Sequence, residues 1–195
     1  FFLPTYEYKV EYEDKVPFDD FYIEPFPGMS GYFWYFPLGE KYAHIGAGDY
    51  RKNHIKATDD FLKKYGGKVQ KTKGRPIRLA TPGKCKPFYN GKVVGVGESI
   101  GTVYALLGEG IIPSMQCVDI FVENMYDFAA YEKAVDEHYK IYDKVFKFVR
   151  AKIHKDFNFF KSLPDFISIF RYMKKNEDRF GMDVKISDLM KVAKA

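Results

Sequence analysis

A glycine-rich stretch, residues 95–111, has the residue types and spacing in this sequence that best suit chemistry. Gly95, Gly97 and Gly101 form a G-x-G-x-x-x-G pattern after the short apolar run Lys92–Val96. Glycines at such a turn let the backbone approach a phosphate at the start of a helix. A dinucleotide-binding βαβ unit also needs a second parallel strand and an acidic residue about 20 positions later. The sequence after the turn is helical in pattern, so the glycines alone do not predict such a unit.

Over a longer window, Val94–Ile111 (VGVGESIGTVYALLGEGI) resembles the second flavin-binding motif of the flavoprotein hydroxylase and geranylgeranyl reductase superfamily. In that motif a strand ends in Gly-Asp, a glycine follows, and Gly-Glu-Gly-Ile opens a long helix. Glu98 replaces the usual Asp, and Ala105 stands where the family usually has proline. The resemblance implies FAD as the cofactor, held by Gly97, Glu98, Gly101, Gly108, Glu109, Gly110 and Ile111.

The family reading has a physical basis. A carboxylate at the strand end can accept a hydrogen bond from a ribityl hydroxyl. The amides at the start of the helix can face the electron-rich pyrimidine edge of a flavin.

An upstream stretch, Tyr32–Pro37 (YFWYFP), resembles the Y-x-W-x-F-P signature of the substrate-domain sheet in geranylgeranyl reductases. That signature is followed by a glycine turn and a strand ending in Gly-x-Gly, which Leu38-Gly39 and Gly46-Ala47-Gly48 match. Its leading proline is absent, because Met29 takes that place. Strand alternation puts the three rings on one sheet face, which either binds substrate or is simply packed. The resemblance implies that a prenyl chain is bound by Tyr32, Trp34, Phe36 and Pro37.

The elements that position these stretches form a strand-rich first half and a helical second half. Period-two patterns predict strands over residues 5–12, 20–26, 32–37 and 42–48, with a hairpin joining the last two. A helix is predicted over His54–Tyr65, with Ile55, Phe61, Leu62 and Tyr65 on one face, followed by a loop up to Pro87. Further helices are predicted from Gly110 to Phe128, from Tyr131 to about His154, and from Pro164.

The predicted fold class is α+β, with an antiparallel substrate-domain sheet, a strand–turn–helix flavin-binding segment and a helical C-terminal tail. It corresponds to a partial FAD-hydroxylase-like fold that lacks the N-terminal Rossmann unit. We assign residues 1–90 to the substrate-binding region, 91–128 to the flavin-binding segment and 129–195 to a basic helical tail. The opening Phe1-Phe2-Leu3-Pro4, without methionine, suggests a fragment. We therefore expect a missing N-terminal half, supplied in cis or in trans.

The composition excludes wholesale disorder, because 46% of the 195 residues are hydrophobic and 29% are charged. Rings are unusually frequent, with 19 Phe, 16 Tyr and 1 Trp against 8 Leu. Either the chain simply packs with rings, or some of them line a wide apolar pocket. Two cysteines, Cys85 and Cys117, suit a reducing interior, and no apolar run reaches the roughly 18 residues of a membrane span. We expect a cytoplasmic protein, peripheral to the membrane at most.

Positive charge is concentrated in Lys140–Lys175, where ten Lys/Arg face three Asp/Glu, although the whole chain carries only +5. The lysines alternate with phenylalanines, a pattern that fits either docking at an anionic bilayer or a solvated face over ordinary packing. Nucleic-acid binding is disfavoured, because no binding module is present. The histidines do not cluster, so no metal site is predicted, and no catalytic residue can be assigned.

The leading hypothesis is the C-terminal part of a FAD-dependent oxidoreductase that reduces isoprenoid double bonds in lipid biosynthesis. The partner would be a prenyl lipid substrate. The alternatives are a flavin-dependent monooxygenase and a non-catalytic protein that binds lipids or membrane surfaces.

Overall fold

The computed structural model describes residues 2–181 and 183–187, which form two compact units. One unit is Phe2–Ile77, and the other begins at Arg78. The segment 91–128 and the helical tail therefore belong to the same unit. The boundary falls at the end of a strand, 13 residues before the end of the range 1–90 assigned from the sequence.

The first unit is a five-stranded sheet with one helix. Its strands are β1 (Phe2–Glu11), β2 (Tyr22–Pro25), β3 (Gly31–Pro37), β4 (Tyr42–Asp49) and β5 (Lys68–Arg78), in the order β2-β3-β4-β1-β5. The pairs β2–β3, β3–β4 and β4–β1 are antiparallel. This confirms the four predicted strands and the β3–β4 hairpin, and the α+β class with an antiparallel sheet.

The prediction of a loop after residue 67 was wrong, because β5 occupies Lys68–Arg78 at the edge of the sheet. Most of its side chains are exposed, so it lacks the apolar alternation that identifies a half-buried strand. It also contains Gly74 and Pro76, and proline is tolerated in a strand that lies at a sheet edge.

Helix α1 (His54–Tyr65) has the predicted bounds and packs on one face of the sheet. Its Phe61 lies among the strand rings, with ring centroids 5.1 Å from Phe33 and 5.6 Å from Tyr35. The predicted buried face was only partly correct, because Ile55 is exposed while His54 and Thr58 are buried. Much of the ring excess in this unit is thus ordinary core packing.

The second unit begins with a short hairpin, β6 (Tyr89–Asn90) and β7 (Val93–Val94), and continues as helices. These are α2 (Ile111–Glu123), α3 (Phe128–His138), α4 (Lys140–Ile153), α5 (Phe159–Lys175) and α6 (Glu177–Phe180). Three predicted boundaries were wrong. The helix expected from Gly110 to Phe128 ends at Glu123. The helix expected over 131–154 breaks at Tyr139, and the helix expected to begin at Pro164 begins at Phe159. Asn158 caps it by accepting the Lys161 N–H, so Pro164 lies inside.

The basic tail uses several of its rings for packing between helices. Phe146, Phe148 and Phe166 are buried, and their burial matches the ordinary-packing alternative for the alternating Lys and Phe pattern. Phe160 remains 84% exposed. Within the described residues, no helix combines the length and the apolar character that crossing a bilayer requires.

Candidate functional site

The glycine turn predicted to hold a flavin lies directly against the start of α2. Gly97 adopts a φ of 63°, and Gly101 a φ of 86°, a region that side chains disfavour. A β-carbon on Gly97 would stand 2.9 Å from the β-carbon of Ser114, in the first turn of α2. Glycine is therefore required at position 97 both by backbone conformation and by close packing against this helix.

Two buried side chains hold the turn from below. The backbone N–H of Gly97 donates to the Sγ atom of Cys117 (3.3 Å), and the Tyr131 hydroxyl donates to the carbonyl of Gly95 (2.9 Å). The hydroxyl and the thiol are 3.3 Å apart. Burial, with a smaller contribution from Cys117, raises the pKa of the Tyr131 hydroxyl, so it remains a donor. Cys117 is buried and also fixes the turn.

Glu98 follows in the turn with an exposed side chain. Its Oε1 atom accepts the backbone N–H of Arg78 (3.2 Å), and the Arg78 guanidinium donates to the carbonyl of Ser99 (2.8 Å). The carboxylate is therefore anchored through one oxygen while it faces solvent. An exposed carboxylate at this place can accept a hydrogen bond from a sugar or ribityl hydroxyl.

The start of α2 has no side-chain cap. The N-cap is Gly110, and Gly108 precedes it with a φ of 62°. The first amides of a helix have no partner within the helix, and together with the helix dipole they favour a negative group. Ile111, the first helical residue, is 79% exposed. The geometry leaves this helix start accessible to an anionic or electron-rich ligand edge.

Glu109, by contrast, is committed to a contact inside the protein. Its two oxygens accept hydrogen bonds from the guanidinium of Arg179, at 3.1 Å from Nε and 2.6 Å from the Nη2 atom. The same guanidinium donates to the hydroxyls of Tyr142 and Tyr172. Among the residues predicted to hold a flavin, Glu98 and the backbone around Gly110 therefore fit that group. The carboxylate of Glu109 has a structural partner.

An apolar stripe follows α2 on its exposed side. Four helical residues, spaced three or four positions apart, are between 43% and 79% exposed: Ile111, Met115, Val118 and Val122. Met125, in the turn after the helix, is also 43% exposed. The buried side of the helix is narrow and includes Pro113 and Cys117. The apolar residues of this segment therefore lie on an exposed face of the helix as well as on its buried face.

In the sheet unit, three of the four predicted substrate residues lie on the side opposite α1, which we call the far face, whereas Pro37 has the strand alternation of the α1 side. Phe33 and Tyr35 are buried toward α1, whereas Tyr32, Trp34 and Phe36 alternate with them on the far face. The rings of Tyr32 and Trp34 are 5.9 Å apart. Pro37 ends the strand, opposite Ala43.

Two polar residues that sequence reasoning did not select lie beside Trp34. Glu7 of β1 accepts a hydrogen bond from the indole Nε1 of Trp34 (3.2 Å) and contacts Nδ1 of His44 (2.7 Å). Alternation does place Glu7 and His44 on the polar faces of their strands. Only the strand order, which puts β1 beside β4 and β4 beside β3, shows that these faces coincide. Within residues 2–181 and 183–187, no cluster of three metal-binding side chains occurs.

Comparison with known proteins agrees with this architecture. The family model described as tryptophan halogenase matches residues 21–163. No curated protein matches the chain. A geranylgeranyl bacteriochlorophyll reductase-like protein from Thermoplasma acidophilum is similar in structure, with a TM-score of 0.57 and 15% identity over 91% of this chain.

Two halogenases are also similar. A tryptophan 6-halogenase from Streptomyces toxytricini has a TM-score of 0.54 and 16% identity over 76% of this chain. A flavin-dependent halogenase from Xanthomonas campestris has a TM-score of 0.50 and 12% identity over 74% of it. The chain spans 54% of the reductase-like protein and 30% of each halogenase. At these identities the likeness establishes a shared fold.

Proposed function

The chain belongs to the tryptophan halogenase family, and from that premise we propose that it is part of a FAD-dependent oxidoreductase. The observation that carries the proposal is the packing of the Gly97 turn against the first turn of α2. It brings an exposed carboxylate and an uncapped helix start into one small region. Those are the groups that a flavin's hydroxylated chain and pyrimidine edge require.

The residues of the turn would divide the work of holding the cofactor. Glu98 would accept a hydrogen bond from a ribityl hydroxyl, and the amides at Gly110 and Ile111 would stabilise negative charge on the pyrimidine edge. Cys117 and Tyr131 would keep the turn in shape for both contacts. Bound FAD would supply the two-electron redox chemistry.

The finer proposal is that the substrate is an isoprenoid chain and that the reaction saturates its double bonds. In its support, Tyr32, Trp34 and Phe36 present flat apolar surface on the far face, suited to a long hydrocarbon. An isolated alkene has no polar handle, so its binding depends on apolar area and placement rather than on charge.

A second candidate is halogenation of an indole or another aromatic ring, and the family-model match over residues 21–163 favours it. Oxygen-dependent hydroxylation, as in flavin monooxygenases, belongs to the same redox class. The rings of the far face would serve either substrate, because an indole stacks on aromatic side chains as readily as a prenyl chain packs on them. The two candidates differ in the product formed.

The test of flavin dependence uses the chain within its natural reading frame, co-expressed with any encoded nucleotide-binding polypeptide. A yellow protein that bleaches on reduction supports the proposal, and Glu98→Gln should weaken FAD binding about tenfold by removing a charge-assisted hydrogen bond. Glu123→Gln, a change at an exposed acidic residue at the end of α2, is the matched control. A folded but colourless assembly would overturn the proposal.

Product analysis separates the two candidates. The reduced enzyme is supplied with a geranylgeranyl lipid, and in a parallel reaction with tryptophan, chloride and oxygen. A gain of two hydrogens per double bond identifies the reductase, and replacement of a ring hydrogen by chlorine identifies the halogenase. Turnover of neither substrate by a yellow enzyme would remove both substrate proposals and leave only the cofactor.

We further propose two partners. A nucleotide-binding polypeptide, in the same chain or another, would complete FAD binding; the chain's coverage of only 54% of the reductase-like protein supports this. The basic surface of residues 140–175 would provide peripheral contact with anionic lipid, supported by its ten Lys/Arg against three Asp/Glu. Sedimentation with anionic liposomes tests the second partner, and Lys147→Glu should reduce binding while neutral liposomes bind neither protein.

A further inference from the structure

The far face of the sheet carries a side-chain cluster of Glu7, Trp34 and His44 that the flavin-binding assignment does not use. One carboxylate oxygen of Glu7 accepts from the indole Nε1 of Trp34 (3.2 Å), and the other contacts Nδ1 of His44 (2.7 Å). The side chains of His44 and Glu7 are 26% and 25% exposed. The cluster is therefore held by the protein and still reaches solvent.

The register of the sheet explains why these three residues meet. Trp34 on β3 and Glu7 on β1 both lie opposite Gly46, in the strand between them. A β-carbon on Gly46 would stand 2.6 Å from the Cε2 and Cζ2 atoms of Trp34. Because Gly46 has no side chain, the indole lies over the middle strand and reaches the carboxylate two strands away. His44, two residues before Gly46, points to the same face.

Hydrogen-bond chemistry then fixes where the imidazole carries its proton. The indole Nε1–H can only donate, and an ionised carboxylate can only accept. Glu7 therefore accepts from both neighbours, and Nδ1 of His44 must carry the hydrogen that it donates. In the neutral imidazole this leaves the lone pair on Nε2, the nitrogen that faces away from Glu7. A base held by a carboxylate on its other nitrogen is the recurring arrangement of proton-transfer sites.

We propose that Glu7 and His44 form a proton-transfer pair on the far face. Nε2 of His44 gives a proton to a bound substrate or takes one from it, and Glu7 is the positioning residue. The inference rests on the proposed function, which places an apolar or aromatic substrate beside Trp34, and it deepens that function. No family resemblance assigned a role to either residue.

The chemistry balances for both candidate reactions. Reducing a carbon–carbon double bond takes a hydride, which bound reduced FAD would supply as the two-electron donor, and a proton, which the imidazolium of His44 would supply as it becomes neutral. Replacing a ring hydrogen by an electrophilic halogen, supplied by an oxidised halide, releases one proton, which neutral His44 accepts. Either reaction thus needs a group that can transfer one proton beside an apolar substrate.

Three other titratable groups of β1 and β4 on this face, Lys9, Tyr42 and Glu11, contact one another, and Tyr32 of β3 lies beside Trp34. Lys9 is the register partner of His44, and its Nζ atom lies 5.2 Å from the ring centroid of Tyr42. The Tyr42 hydroxyl donates to Glu11 (3.0 Å), which also accepts from Gln70. Glu7 is thus the carboxylate in contact with His44, and Glu11, four residues along the same strand, provides a matched control.

The first experiment measures the imidazole tautomer in the 195-residue chain by nitrogen-15 NMR. We expect the hydrogen on Nδ1 in the wild type. In Glu7→Gln, the single amide oxygen must accept from Trp34, so the amide nitrogen donates to His44 and the hydrogen moves to Nε2. Glu11→Gln should leave the tautomer unchanged, as should Trp34→Phe, which keeps the carboxylate. A hydrogen on Nε2 in the wild type, or no change in Glu7→Gln, would overturn the pair.

The second experiment uses the yellow assembled enzyme and whichever substrate it turns over. His44→Gln should lower kcat about 100-fold, with KM within about twofold and flavin absorbance unchanged, because proton transfer and not binding is lost. An unchanged kcat would overturn the catalytic role. A colourless assembly would count against the proposed function instead, and the tautomer measurement would then decide the pair without it.

Discussion

Glu109 in the helical unit and Glu7 in the sheet unit are both carboxylates that hold a nitrogen-containing side chain, but with opposite outcomes. Glu109 meets the guanidinium of Arg179, whose remaining donors go to Tyr142 and Tyr172. Glu7 meets the imidazole of His44 through one nitrogen only. We call the Glu109–Arg179 contact closed, because the donors of the guanidinium are used within the protein. We call the Glu7–His44 contact open, because Nε2 of the imidazole faces away from Glu7 and can contact another molecule.

The difference shows that the role of a carboxylate depends on whether its partner side chain keeps a donor or acceptor that another molecule can use. Glu109 lies in the stretch that resembles a flavin-binding motif, yet its carboxylate contacts Arg179 inside the helical unit. Glu7 lies in no motif, yet it orients a group that can do chemistry. The predictions below test whether the first contact is structural and the second is functional.

The largest effect is expected from breaking the closed contact. Arg179→Ala leaves the carboxylate of Glu109 without its partner, and the two side chains are only 11% and 20% exposed. Removing one member of such a pair should lower the free energy of unfolding by about 3–5 kcal/mol. Urea denaturation measures this loss, and the control is Lys174→Ala, which removes two more exposed ion pairs, with Glu177 and Asp183. Equal losses in the two variants would mean that the contact is not structural.

A smaller effect on stability is expected from substituting Gly97 in the glycine turn. Gly97→Ala places a side chain at a φ of 63° and brings its β-carbon into a clash with Ser114. Gly91→Ala places a side chain at a similar φ of 59°, but its β-carbon would have no non-neighbouring atom within 4 Å. The difference isolates the packing contribution, and overpacking of this kind should destabilise Gly97→Ala by about 2 kcal/mol more. If denaturation gave the same loss for both, the turn would not be packed tightly on α2.

Breaking the open contact should affect stability less. Glu7→Ala removes an acceptor from His44 and Trp34, but water can replace it at these quarter-exposed side chains. We expect a loss of about 1 kcal/mol in the same denaturation assay. Glu11→Ala, on the same face of β1, serves as the reference. A loss as large as that of Arg179→Ala would make the cluster a structural one and remove the contrast.

The smallest effect concerns pH. Burial lowers the pKa of His54 in the sheet unit and, together with Arg179, that of His138 in the helical unit. The unfolded chain therefore takes up protons first, so this stability is present above about pH 6.5 and is lost as the pH falls through the lower folded values. The free energy of unfolding should decrease between about pH 8 and pH 5, and His138→Asn should make that decrease smaller.

The sequence was sufficient for elements whose signal is local. The bounds of α1 followed from its apolar periodicity, and the β3–β4 hairpin followed from alternation around a glycine turn. Strand β5 escaped because an exposed edge strand carries no apolar alternation. The start of α5 was misplaced because Pro164 was taken as a first-turn residue, although the capping residue is Asn158.

The candidate sites divide in the same way. The glycines of the turn and the rings of β3 could be found because their spacing is short. The partner of Glu109 is 70 residues away, and His44 is 37 residues from Glu7. No pattern in the sequence indicates that residues this far apart in the chain are in contact. Both contacts depend on which elements become neighbours, and that is decided by the packing of the whole unit.

The indole that lies over Gly46 also gives the protein a built-in optical probe. Trp34 is the only tryptophan in the chain. All tryptophan emission therefore comes from one ring, which donates a hydrogen bond to Glu7 and lies next to Tyr32. A molecule that settles on this part of the sheet should shift or quench that emission, without any label and before its chemical identity is known.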